Sequence, residues 1–210
     1  MASTLLKNLL LSLLVVSAGF WVAKASDPDI LFDFVAPANS TNNFDGNYFT
    51  FIGLRGVLFN NTSPNFKVTK ASMVEFPALN GQSVSFAILQ YPAGGLNPPH
   101  THPRSAELLF LVQGSLQVGF VDTTNKLYNQ TLQVGDMFIF PKGLVHFQYN
   151  ANTPRTATAI SAFGSANAGT ISIPTSIFTT GIDDVILAKA FKTDIATIQN
   201  IKACLIAPKA

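Results

Sequence analysis

Between Val84 and Ile173 the chain reads as a succession of short β-forming runs, each closed by a turn, with no helical period between them. Residues 84–91 are rich in β-formers and end at Pro92-Ala93-Gly94-Gly95. Residues 108–113 are an apolar run ended by Gly114, and residues 115–120 alternate strictly, as a half-buried strand does. Residues 132–134, 137–140, 145–149, 156–163 and 170–173 continue the pattern. Gly135-Asp136, Pro141-Lys142-Gly143, Asn152-Thr153-Pro154 and Gly164 separate them. Closely spaced strands without intervening helices predict an all-β fold, an antiparallel sandwich or barrel. The period changes only after Gly181. Asp183-Asp184 is expected to cap a helix running to about Phe191. Thr193 or Asp194 is expected to cap another, with Ile195, Ile198, Ile201 and Leu205 as its apolar stripe. The chain then divides into an irregular arm over 26–60, a barrel over 61–181 and C-terminal helices over 182–210.

Residues 1–25 read as a secretory signal. Lys7 supplies the basic start, the apolar stretch from Leu9 to Phe20 is too short to span ~30 Å of hydrocarbon, and Ala23-Lys24-Ala25 is a small-x-small cleavage site. The full chain has 13 basic and 11 acidic residues. Cleavage after Ala25 removes Lys7 and Lys24 and no acid, so the mature chain is neutral. That balance, without a Lys/Arg run, excludes a nucleic-acid binder. The expected location is extracellular, with no membrane attachment after cleavage. A secreted route makes the Asn-x-Ser/Thr sequons at Asn39, Asn60, Asn61 and Asn129 candidate glycosylation sites.

All three His of the chain fall in two Pro/Gly-punctuated segments. In an extended strand His100 and His102 face the same side. Glu107 lies at an odd offset from His102, so Pro103 and Arg104 must turn or bulge the chain for its carboxylate to rejoin them. A carboxylate at the edge of the apolar run 108–112 is costly unless paired or metal-bound. His146 comes from a distant strand and is expected to close the site from the opposite sheet. Three imidazoles and a carboxylate suit Mn, Fe, Co, Ni or Zn and leave two octahedral positions open. With one Cys, Cys204, neither a disulfide framework nor a thiolate cluster can form within the chain.

These segments resemble the two motif boxes of the cupin superfamily, in the form found in plant germin-like proteins. Gly94, His100, His102, Glu107 and Gly114 match the first box; Gly135, Pro141, His146 and Asn150 match the second. The resemblance covers nearly the whole mature chain. It implies a jelly-roll β-barrel with a short C-terminal helical extension, and a mononuclear manganese held by His100, His102, Glu107 and His146. It also implies a secreted, glycosylated protein of the apoplast or cell wall, assembled with itself as a hexamer, a trimer of dimers clasped by the C-terminal helices. Subunit interfaces would account for a charged content of only 11%.

The chain departs from that family in two places. Germins carry a disulfide in the arm, and the first Cys is expected just after Asp33-Phe34, where this chain has Val35. The arm is then expected to be loosely held, or held by Phe44, Phe49 and Phe51. Cys204 is expected to be a small buried residue of the tail, with an intersubunit bond as the alternative. Oxalate-oxidising germins use two Asn near the metal; one matches Asn97, and the other falls at Ala87, which cannot donate a hydrogen bond to a carboxylate. The leading expectation is therefore a manganese superoxide dismutase of the cell wall, serving plant defence. Oxalate oxidation is disfavoured by Ala87, and a non-enzymatic receptor, storage or wall protein is the third reading.

Overall fold

The computed structural model describes residues 27–38, 44–58, 63–151 and 154–206. The signal segment and the sequons at Asn39, Asn60 and Asn61 lie outside the described residues. The described chain folds as β1 (Lys67–Ala71), β2 (Ser85–Tyr91), β3 (Leu96–Thr101), β4 (Glu107–Gln113), β5 (Ser115–Val121), β6 (Leu127–Gln133), β7 (Met137–Phe140), β8 (Val145–Tyr149), β9 (Ala157–Phe163) and β10 (Ile171–Ser172). Three helices follow, α1 (Ile173–Phe178), α2 (Asp184–Phe191) and α3 (Ile195–Ile206).

The strands form two five-stranded antiparallel sheets, ordered β1-β2-β9-β4-β7 and β10-β3-β8-β5-β6. Neighbouring strands in each sheet are mostly distant in sequence, which gives the jelly-roll architecture. Alternation sets the core between the sheets. On β2 Ala87, Leu89 and Tyr91 point inward, on β4 Leu109 and Leu111, on β5 Leu116 and Val118; Phe140 of β7 joins them. Glu107 is in phase with Leu109 and Leu111, so its own strand turns it into the interior. The alternate residues Phe86 and Leu108 face outward and are exposed, as are Met137 and Ile139.

At the C-terminus, the Asp183 carboxylate accepts from the backbone N–H of Val185 and caps α2. Asp194 accepts from Thr197 N–H and caps α3. Lys202 of α3 binds the Asp184 carboxylate at 2.6 Å, and buried Ile198 packs on Leu187 and Ala188. Ile195, Ile201 and Leu205 remain exposed. Cys204 is also exposed, which corrects the expectation of a buried residue: it lies on the solvent side of a helix whose packed face is already filled by Ile198.

Three further differences have local causes. Residues 170–173 do not form a full strand, because Pro174 favours a helix start and α1 begins at Ile173. β6 begins at Leu127, well before the apolar residues that announced it; its first five residues are all exposed and polar-rich, so no alternation marks them. β1 lies ahead of Val84, where the succession of β-forming runs begins, because its exposed Lys67 and Lys70 break any apolar pattern. The arm carries no strand or helix among the described residues, and an aromatic cluster organises it. Phe34 meets Phe44 and Phe49 edge-on at centroid distances of 5.3 and 5.1 Å, while Phe51 stacks on Phe76.

Candidate metal centre

Each predicted ligand is delivered by a different local device. In β3, Asn97 pairs with Gln148 but His100 pairs with His146, so three residues on β3 span two on β8. This bulge falls at Pro98-Pro99, where no N–H is available for a regular ladder. It lets both Asn97 and His100 face inward despite their odd spacing. Pro103 and Arg104 form the turn that the position of Glu107 required, and β4 starts at Glu107. His146 corrects one expectation. Because β8 hydrogen-bonds to β3, His146 lies in the same sheet as His100 and directly opposite it; Glu107 reaches across from the other sheet.

One ligand atom from each of His100, His102, Glu107 and His146 lies within 4.8 Å of the others, and all four residues are buried. Every imidazole is oriented by a backbone carbonyl. His100 Nδ1 donates to Pro98 O at 2.8 Å, His146 Nδ1 to Leu144 O at 2.8 Å, and His102 Nδ1 to Gly169 O at 2.5 Å. Those bonds leave the three Nε2 lone pairs pointing inward. His102 Nε2 and His146 Nε2 then stand 3.0 and 3.2 Å from the same oxygen, Glu107 Oε2. Lone pairs converging on an anionic oxygen repel unless a proton or cation lies between them. The donor set therefore fits a divalent metal ion, with His100, His102, His146 and Glu107 as the residues that would hold it.

The electrostatics agree. Burial, with His146 alongside, pushes His100 down to about 4, so it is neutral and able to ligate at ordinary pH. Burial alone would raise Glu107, but in the metal-free protein hydrogen bonding and charge interaction with His102 and His146 overcome it and hold the carboxyl at about 2, the space between Nε2 and Oε2 being one that either a proton or a metal cation can fill. Its other oxygen, Oε1, accepts from Ser161 Oγ at 2.6 Å and Gln148 Nε2 at 3.4 Å. Gln148 Oε1 in turn accepts from Asn97 Nδ2 at 2.7 Å. Burial and the negative Glu107 raise the phenol of nearby Tyr91 well above its usual range.

Sequence reasoning missed Ser161, Gln148 and Gly169. Gln148 is in phase with His146 on β8 and alternation could have exposed it. Gly169 adopts φ +70°, and a Cβ there would meet Arg104 Nη2 at 2.7 Å, so a glycine is needed to aim this carbonyl at His102. The motif residues Gly114 and Asn150 are structural. At Gly114 (φ +81°) a Cβ would come 2.5 Å from Thr156 O. Asn150 Nδ2 bonds the carbonyls of Pro92 and Arg155 at 3.0 and 2.8 Å, closing the turn before β3.

His100, His102 and Glu107 line one wall of a cavity of about 230 Å³ that opens between the sheets. Ala87, Leu89, Asn97 and Phe163 lie deep in it, while Lys70, Ser72 and Glu75 line it further out. Asn129, the described sequon, is exposed on β6.

The sequence profile of the cupin family matches residues 58–199. Germin-like protein 9-3 of Oryza sativa subsp. japonica is 60% identical over 100% of this chain and 99% of its own length. Germin-like protein subfamily 2 member 1 of Arabidopsis thaliana is 39% identical over 93% of this chain and 95% of its own. Among solved structures, an oxalate oxidase in complex with the substrate analogue glycolate superposes with a TM-score of 0.77 at 28% identity, covering 87% of this chain and 100% of that one. The chain belongs to the cupin family and, within it, to the germin-like proteins.

Proposed function

We propose that the protein is a secreted manganese superoxide dismutase of the plant cell wall. The observation that supports this most is the pairing of a complete His₃Glu site with Ala87 in the cavity wall, where a second amide would be needed to grip a dicarboxylate. A bound manganese would supply the reversible one-electron change on which dismutation of superoxide to dioxygen and hydrogen peroxide depends. The protein's own part is positional. Pro98, Leu144 and Gly169 fix the three imidazole tautomers, and Ser161 and Gln148 orient Glu107. Leu89 and Phe163 present apolar surface to the cavity, and at its rim the charges of Lys70 and Glu75 offset each other.

Manganese as the metal, secretion after cleavage at Ala25, glycosylation at Asn129 and hexameric assembly belong to the same proposal. Exposed Ile195, Ile201 and Leu205 on α3 support subunit contact through the C-terminal helices. A superoxide assay of the manganese-loaded chain, with a His146→Ala control, tests the reading: activity lost in the control supports it, and absence of activity in the loaded native chain rejects it.

Oxalate oxidation is the second reading, favoured by Asn97 in the cavity and by the similar structures described as oxalate oxidases. Hydrogen peroxide release from oxalate decides it.

A further inference from the structure

The loop of residues 164–170, between β9 and β10, has two sides. Its inner side carries Gly169, whose carbonyl accepts from His102 Nδ1. Its outer side is gripped by the first described residue of the arm. Asp27 Oδ1 accepts from Ser165 Oγ and Oδ2 from Ala166 N–H, both at 2.6 Å. Arg104 holds the intervening residue, donating from Nε to Asn167 O at 2.6 Å and from Nη2 to Asn167 Oδ1 at 3.0 Å. The Asp27 bonds are short and charge-assisted, the stronger kind. Met73 N–H also donates to Ala166 O at 2.9 Å and Arg104 N–H to Ala168 O at 3.2 Å, so Asp27 adds side-chain bonds to a loop that the barrel already holds by its backbone.

We infer that Asp27 is a positioning residue of the metal centre: by clamping Ser165 and Ala166 it holds the Gly169 carbonyl that orients His102, and so slows metal loss. This rests on the reading of His100, His102, Glu107 and His146 as a metal site. It gives the arm a role at the metal centre. Asp27 lies two residues past the expected cleavage site at Ala25, so processing even slightly further into the arm removes the clamp.

The test uses the full mature chain loaded with manganese, and Asp27→Ala, Asp27→Asn and Asp45→Ala variants. Asp45 belongs to the same arm, and among the described residues its carboxylate bonds only to Asn47. Release of manganese to a chelator is expected to be about tenfold faster in Asp27→Ala, the lower end of what loss of an outer ligand partner costs. Asp27→Asn, which keeps an acceptor for the Ala166 N–H, should recover most of the difference, and Asp45→Ala should match the native chain. In metal-free protein, hydrogen exchange of the peptide spanning residues 164–170 should quicken in Asp27→Ala alone. Unchanged release and exchange in Asp27→Ala, with native manganese uptake, overturns the inference and leaves the metal site standing. A native chain that takes up no manganese overturns both.

Discussion

Ser161 Oγ donates a 2.6 Å hydrogen bond to Glu107 Oε1, leaving Oε2 to face His102 and His146. The bond joins β9 to β4, which are paired neighbours in one sheet, so the carboxylate is oriented by the same ladder that builds the barrel. Ser161→Ala removes this tether without adding bulk. It should weaken manganese binding about tenfold while the fold is kept, measured by competition with a chelator. Affinity equal to that of the native chain would show that β4 alone aims the carboxylate.

Ala87 is the residue that separates the two enzymatic readings. It is inward on β2 and lines the cavity with Asn97 and the metal-site residues. Ala87→Asn adds a donor for a carboxylate oxygen, worth about 1.5–3 kcal/mol for a hydrogen bond to a charged group. Hydrogen peroxide production from oxalate should appear or rise by at least tenfold in the variant. An unchanged rate would place the control of oxalate chemistry elsewhere in the cavity.

Stability of the metal-free protein should fall with acid. His100 is lowered from 6.5 to about 4 and Glu107 from 4.5 to about 2, so in both cases the unfolded chain binds more protons between the two values. Stability is then full above pH 6.5, falls through the His100 window down to about pH 4, and falls further as Glu107 protonates towards pH 2. The His100 part alone is on the order of 3 kcal/mol. Urea unfolding of the metal-free chain at pH 7 and pH 4.5 measures it, and His100→Gln should flatten the upper part of the slope.

The exposed stripe of α3 predicts an assembly. Ile201 and Leu205 lie on the same helix as fully buried Ile198 but stay exposed in the single chain. Ile201→Lys with Leu205→Lys should convert the proposed hexamer to smaller species in sedimentation, with the metal site intact. A native chain that sediments as a monomer contradicts the assembly.

Much of this was readable from the chain. β7 and β8 fall where alternation and turns placed them, and α2 is capped at Asp183 as expected. The turn at Pro103-Arg104 followed from the odd offset of Glu107 alone. What was not readable depends on pairing between distant strands. No local pattern says that β8 joins β3, and it is that pairing which puts His146 in the sheet of His100. The Pro98-Pro99 bulge shows only in the register between those strands. Gly169, remote in sequence from His102, carries no mark in its neighbours, and the early part of β6 is hidden because an exposed edge strand needs no apolar residues.

The central claim is that His100, His102, Glu107 and His146 hold one metal ion. Elemental analysis of the purified native chain beside His146→Ala and Glu107→Gln tests it most directly. The account predicts about one manganese per native chain and little in either variant. Native protein without a bound metal, or variants that retain it in full, would contradict it.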